Sequence, residues 1–248
     1  VSRMVRFPKH RPTILTVVLA VLLLVVLGAC TSPSNTFDPK SDVTDSILTL
    51  YILVTVVASI VGFAVLVGMA WLLWRFRAKE GVPARQIHGN TRLEIAWTIA
   101  PIFVLLLIGI PTMFWIARSA DVPESTAGNI TEVGIPGKGL EVVAIGHQWW
   151  FEFRYPGLGP DGADLVTANE LHIPDGVDIT VTLLSDDVVH SFWVPKLVGK
   201  TDMLPGRENI LHTFKAIEVG TYVGSCAEFC GAAHALMQFQ VQVETLGD

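Results

Sequence analysis

The chain has 248 residues, 51% hydrophobic and only 16% charged, an apolar excess that comes from three long uncharged segments rather than from one large soluble core. Its formal net charge of −6 is unevenly spread: residues 1–117 carry 10 bases and 5 acids, or +5, and residues 118–248 carry 7 bases and 18 acids, or −11. So acidic a C-terminal half argues against nucleic acid as a partner and suits a basic protein, although a merely solubilising acidic surface would have the same composition.

Residues 1–29 read as a secretory leader. Arg3, Arg6, Lys9 and Arg11 make a basic start, and Ile14–Ala29 is an apolar run short for a membrane span. The last four residues of Leu27-Gly28-Ala29-Cys30 resemble a bacterial lipoprotein cleavage box, which implies that Cys30 becomes the lipid-modified first residue of the mature protein. An uncleaved anchor with an incidental cysteine is the plainer alternative. Residues 30–45 follow as a polar tether outside the cytoplasm.

Two uncharged stretches, 46–74 and 95–117, are each long enough to cross a bilayer and together predict a transmembrane hairpin over 46–117. The loop 75–94 between them holds Arg75, Arg77, Lys79, Arg85 and Arg92, so the positive-inside bias puts it in the cytoplasm and both hairpin ends outside. A leader at the N-terminus requires the same orientation. Glu94 stands at the inner mouth of the second span, where an ionisable group suggests a proton path. As a helix-end carboxylate beside Arg92 it would need no such role.

Residues 118–138 have the Gly and Pro content of a linker. From 139 to 248 the hydrophobic period becomes that of strands, with segments at Leu140–Ile145, Glu170–Ile173, Ile179–Leu184, His190–Val194, Glu208–Phe214, Gly220–Ser225 and Gln238–Val243. Short strands at this spacing predict an all-β domain, an antiparallel Greek-key sandwich or barrel. In HQWWFEFR (147–154), alternation should bury some aromatics and expose others.

The stretch CAEFCGAAHALM (226–237) carries the chemistry. Cys226, Cys230, His234 and Met237, with His190 upstream in DDVVHSFWVP, form a soft sulfur and imidazole set that selects copper or zinc over magnesium or calcium. One cysteine would make a mononuclear blue-copper site; two bridging thiolates would hold a copper pair, with Met237 and a loop carbonyl as weak ligands. Zinc would accept the two cysteines and two histidines but has no use for the thioether. A disulfide, or two buried thiols with Met237 as core filler, would be the inert alternatives.

Taken in order, LEIAWTIAPI, GHQWWFEF, DDVVHSFWVPKL, KTDMLPGR and the cysteine loop make the chain resemble subunit II of the haem-copper oxidases, the cytochrome c oxidase family, from about residue 45 to 246. The resemblance implies a cupredoxin-like domain holding two copper ions on His190, Cys226, Glu228, Cys230, His234 and Met237, with Glu228 giving its backbone carbonyl. It further implies that the Glu228 side chain, and less directly Asp202, face a magnesium ion at the interface with the catalytic subunit I. Arg207 would lie near haem propionates of that subunit, and Trp149 would be the point where electrons enter. Glu94 would lie at the mouth of a proton channel. Where relatives often have tyrosine and tryptophan after that tryptophan, this chain has Trp150 and Phe151, so any role for the tyrosine hydroxyl is lost.

The expected function is thus the electron-accepting subunit of a proton-pumping cytochrome c oxidase in a bacterial cell membrane, with haem only in partner subunits. Its expected partners are subunit I, the other oxidase subunits, and a cytochrome c or membrane-bound cytochrome donor. No C-x-x-C-H motif occurs, so the donor haem is expected in a separate protein. Rival readings are a quinol oxidase subunit, which would lack the copper ligands, a stand-alone copper electron-transfer or copper-handling lipoprotein, and a membrane-anchored structural zinc domain.

Overall fold

The computed structural model describes residues 16–21, 23, 32–77, 89–118, 124–125, 132–135, 137–211 and 213–246. Most of the predicted leader, Cys30, residues 78–88 of the cytoplasmic loop and most of the predicted linker lie outside the described residues.

Two long helices come first: α1 (Asp42–Arg75) and α2 (Thr91–Arg118). Each extends past its uncharged stretch, because charged side chains are tolerated at helix ends that reach water. Each contains an 18-residue stretch apolar enough to cross a membrane, and nearly all of their apolar side chains are exposed in the chain alone. A helix apolar on all sides has no soluble core to face, and lipid or other membrane helices must cover it. Pro101 and Pro111 lie inside α2.

The start of α1 is welded to the β-domain. Ser41 caps the helix in a reciprocal box with Thr44, and its hydroxyl also donates to the Leu197 carbonyl. The Thr44 hydroxyl donates to the Lys196 carbonyl at 2.8 Å, and Asp42 accepts the Lys215 N–H at 2.8 Å. Lys196 in turn pairs with Asp38 at 2.7 Å. The first span therefore leaves the domain in a fixed direction.

The β-domain is two sheets face to face. The larger sheet contains β1 (Glu124–Ser125), β2 (Lys138–His147), β3 (Trp150–Tyr155), β4 (Leu165–Ala168), β6 (Asp178–Ser185), β9 (Asn209–Ile210) and β10 (Phe214–Lys215), with spine β10-β6-β2-β3-β4. The smaller has the order β5-β12-β11-β7-β8, from β5 (Glu170–Pro174), β12 (Gln238–Glu244), β11 (Gly220–Cys226), β7 (His190–Val194) and β8 (Val198–Met203). Most pairs are antiparallel, as expected, but β2 runs parallel to β1 and β6, and β5 parallel to β12. Strands that cross between sheets arrive beside a neighbour in either sense, which alternation along one strand does not reveal. Where one strand was expected over Glu208–Phe214, two short ones form.

Phe151, Phe153, Phe192 and Phe239 fill the space between the sheets, with ring centroids from Phe239 to the others at 4.6, 5.4 and 4.9 Å. Rings of this size bury much apolar surface and lock the sheets at one spacing. Inside the smaller sheet, β7 and β11 pair directly, with Cys226 opposite Phe192. That pairing puts the first residue of the cysteine loop beside the strand that starts at His190.

Candidate metal centre

Residues 226–237 form a closed loop at one end of the sandwich. Cys226 donates its N–H to the Met237 carbonyl at 3.0 Å, so the loop leaves and re-enters the sheet at one point. Ala227 donates to the Ser191 carbonyl at 3.3 Å, tying the loop to β7. A short 3₁₀ turn, His234–Leu236, then brings His234 and Met237 to the inside of the loop.

The donor atoms run as a chain. His190 Nδ1 lies 3.9 Å from Cys226 Sγ, the two sulfurs are 3.7 Å apart, and Cys230 Sγ is 3.6 Å from His234 Nδ1 and 3.7 Å from Met237 Sδ. The Glu228 carbonyl is 3.2 Å from Cys226 Sγ. Both cysteines are free and buried, at a separation far beyond the ~2.05 Å of a disulfide. The two are not joined as a disulfide in this structure. Metal–thiolate bonds of ~2.3 Å and metal–imidazole bonds of ~2.0–2.1 Å let one ion touch both members of each neighbouring pair. Among the described residues the convergent His/Cys cluster is His190, Cys226 and Cys230, all buried. The donor set therefore fits thiophilic metal, and the carbonyl and thioether at its two ends fit copper better than zinc.

His190 is fully buried, and its ring is fixed from behind. Asp187 accepts a hydrogen from its Nε2 at 2.8 Å, which leaves Nδ1 bare toward the sulfurs. The same carboxylate accepts the N–H groups of Gln148 at 2.7 Å and Val188 at 2.6 Å. Gly146 packs against the other face of the ring: a Cβ there would lie 2.8 Å from His190 Cδ2.

These contacts set the charges. Burial alone would push the Cys226 thiol up, but the His190 ring and the backbone at Glu228 and Ser191 outweigh it and bring it down to about 6. Burial and the adjacent Cys226 push the Cys230 thiol up to about 12. Two thiolates this close repel each other, so holding both needs the positive charge of a metal. Burial lowers the affinity of His190 for a proton, yet the Cys226 thiolate and the Asp187 carboxylate more than compensate and raise it.

Trp149 is 38% exposed, and its indole N–H donates to the Cys230 carbonyl at 3.1 Å. Gln148 donates to the same carbonyl at 2.8 Å. An accessible aromatic ring is thus one hydrogen bond from a residue that bears a ligand sulfur. Trp150 stacks on His147 at 4.4 Å, and Phe151 and Phe153 are core. The cysteine loop also exposes Phe229 and Leu236.

The remaining candidates lie apart from the sulfurs. Glu228 Oε2 and Asp202 Oδ1 each take a hydrogen from Lys200 Nζ at 2.9 Å, and Glu228 and then Asp202 hold that ammonium above the ordinary lysine range. Arg207 is exposed at the Leu204–Arg207 turn after β8. Glu94, in the first turn of α2, accepts the Asn90 N–H at 3.2 Å, while Asn90 accepts the N–H groups of Arg92 and Leu93. These contacts close the first turn of α2. Reading the sequence singled out neither Asp187, Gln148, Gly146 nor Lys200; the DD pair before Val188-Val189-His190 was the one visible hint.

Two family models match the chain in sequence. The transmembrane domain of cytochrome c oxidase subunit II matches residues 38–114, and the periplasmic domain of the same subunit matches residues 159–244, which include every candidate copper ligand. A "Probable cytochrome c oxidase subunit 2" of Rickettsia bellii is 32% identical over 216 residues, covering 80% of this chain and 73% of its own length. The chain belongs to the cytochrome c oxidase subunit II family. Cytochrome c oxidase subunit 2 of Alkalihalophilus pseudofirmus is 35% identical over 225 residues, 88% of this chain, of which the present chain spans 61%. Among solved structures, the periplasmic domain of subunit II of the cytochrome oxidase of Bradyrhizobium japonicum is 30% identical, with a TM-score of 0.39 over 43% of this chain and 84% of that one. Family membership makes α1 and α2 membrane spans and places the β-domain outside the cytoplasm.

Proposed function

We propose that this chain is the electron-accepting subunit of a bacterial cytochrome c oxidase, with a copper pair held by His190, Cys226, the Glu228 carbonyl, Cys230, His234 and Met237. When bound, such a pair would supply a one-electron store whose charge change is shared by two metals, suited to relaying electrons between an outside haem protein and haem in subunit I. The observation that carries the reading is the unbroken run of donors from His190 Nδ1 to Met237 Sδ, each neighbouring pair 3.6 to 3.9 Å apart.

This chain's residues supply the rest. Asp187 and Gly146 hold the His190 ring from two sides. The buried loop excludes water from the sulfurs. Trp149 offers an exposed ring to a docking donor, and its bond to the Cys230 carbonyl gives a short covalent and hydrogen-bonded route inward. The surplus of acids in residues 118–248 favours a basic donor such as cytochrome c. By resemblance, Glu94 serves the mouth of a proton channel and Arg207 lies toward haem propionates of subunit I. Cys30 is the lipid attachment point after removal of residues 1–29. In the same reading, residues 30–45 are the outer tether, 46–117 the hairpin, 118–138 the linker and 139–248 the copper domain.

A direct test uses the full chain in detergent, loaded with copper and mixed rapidly with reduced cytochrome c. Oxidation of the cytochrome at one electron per chain, slowed at least tenfold by Trp149→Ala with the copper spectrum unchanged, is the expected result. Equal rates in the two proteins would remove Trp149 from the path, and no oxidation by the copper-loaded chain would remove the function.

A further inference from the structure

Asp202 and Glu228 are the two side chains that the family resemblance turns toward a divalent cation. In this structure the place between them is taken. Lys200 and Asp202 are two residues apart on β8 and so share a face of the strand. Glu228 comes from the copper loop, and the Lys200 ammonium donates to both carboxylates at 2.9 Å. Magnesium wants near-octahedral oxygen coordination and binds where carboxylate oxygens are free. Here each carboxylate spends an oxygen on one and the same ammonium. The two carboxylates of the free chain do not fit magnesium.

The position of Lys200 gives the contact a second consequence. The residue lies at the rim of a groove of about 380 Å³ between the outer end of α1 and the copper loop, lined by Ile47, Tyr51, Trp193, Val198 and Ala227. Glu228 reaches Lys200 with its side chain while its backbone carbonyl faces Cys226 Sγ at 3.2 Å. A pull on that side chain is a pull on the carbonyl.

We propose that Lys200 is the resident cation of the Asp202–Glu228 pair: its ammonium closes this position to divalent ions in the free chain, and it is a positioning residue that anchors the copper loop to β8 through Glu228. The second half rests on the copper reading; the first does not.

Manganese(II), whose free-ion paramagnetic signal disappears on binding, is the probe, titrated into the full copper-free chain in detergent. The unsubstituted chain is expected to leave manganese free at concentrations where Lys200→Met takes up one ion per chain at least ~10-fold more tightly, because a like charge has gone. Lys200→Met combined with Glu228→Gln should lose that ion again. Lys200→Arg keeps the charge and should behave as the unsubstituted chain, which separates loss of charge from loss of folding. Tight one-to-one manganese binding by the unsubstituted chain, or no gain in Lys200→Met, would overturn the first half. With copper bound, Lys200→Met should change the copper hyperfine spectrum and lower the reduction potential, and Lys200→Arg should restore both. Unchanged copper properties would overturn the anchoring role. A chain that binds no copper at all would refute the functional reading and the anchor together, and leave the manganese comparison standing.

Discussion

Gly146 lies next to the motif that begins at His147, and its lack of a side chain has a calculable consequence. A Cβ built on it would lie 2.8, 3.0 and 3.1 Å from Cδ2, Cγ and Cβ of His190. Carbon atoms are comfortable at ~3.5–4.0 Å, so Gly146→Ala requires the ring to retreat by roughly 0.5–1 Å. The retreat is not free. Asp187 holds Nε2 at 2.8 Å, Cys226 Sγ lies 3.9 Å from Nδ1, and the residue is fully buried. Overpacking of this kind costs about 1–3 kcal/mol, which should lower the melting midpoint of the copper-free protein by roughly 2–10 °C. A ligand displaced by that much should also weaken copper binding and alter the hyperfine spectrum of what remains. Thermal melting of the copper-free protein and copper titration followed by paramagnetic resonance read the two effects separately. An unchanged midpoint together with an unchanged spectrum would mean that the ring has room the geometry denies it, and the reasoning would fail.

Asp187→Ala leaves His190 Nε2 and the N–H groups of Gln148 and Val188 without their shared acceptor, and copper affinity should fall by ~10–100-fold. Competition with a copper chelator measures this, and an unchanged affinity would show that packing alone orients the ring. Tyr155 has a pH signature independent of metal. Burial first of all pushes its hydroxyl up to about 12, against an ordinary value of 10.0. Its folded pKa lies above its unfolded one, so its contribution is complete below pH 10 and is lost as pH rises toward 12. The loss over that window amounts to a few kcal/mol. Denaturant melts of the chain and of Tyr155→Phe should therefore converge over that window, and a stability difference independent of pH would contradict the assignment.

Much of the architecture was legible because it follows from periodicity. Uncharged runs, each opening after an acid (Asp45, Glu94) and closing at an arginine (Arg75, Arg118), mark α1 and α2, and alternation marks β2, β6, β11 and β12. Strand β8, with Gly199, Lys200, Thr201 and Asp202 in succession, has no apolar alternation to announce it, and it forms because β7 offers an edge. Helix α1 begins at Asp42 because Ser41 finds its partners on the β-domain, a contact 156 residues away in sequence. The same holds at the candidate site. Sulfur and imidazole types at short spacing make the loop visible, since few other uses require that combination. What holds the donors was not visible. Asp187 is one of two adjacent acids, and only the fold shows which one faces His190. Gly146 is one of 21 glycines until the ring beside it is placed. Lys200 reads as a solvated strand residue until the loop brings Glu228 to it. Residue type signals chemistry in one dimension, whereas support and exclusion are properties of three.

The most direct test of the central claim is the metal-to-protein ratio of the full chain reconstituted with copper, taken together with its electron paramagnetic resonance spectrum. Two coppers per chain sharing one unpaired electron, with a seven-line hyperfine pattern, are predicted, since both thiolates then bridge the pair. One copper with four lines, or a preference for zinc with no copper signal, would contradict the account.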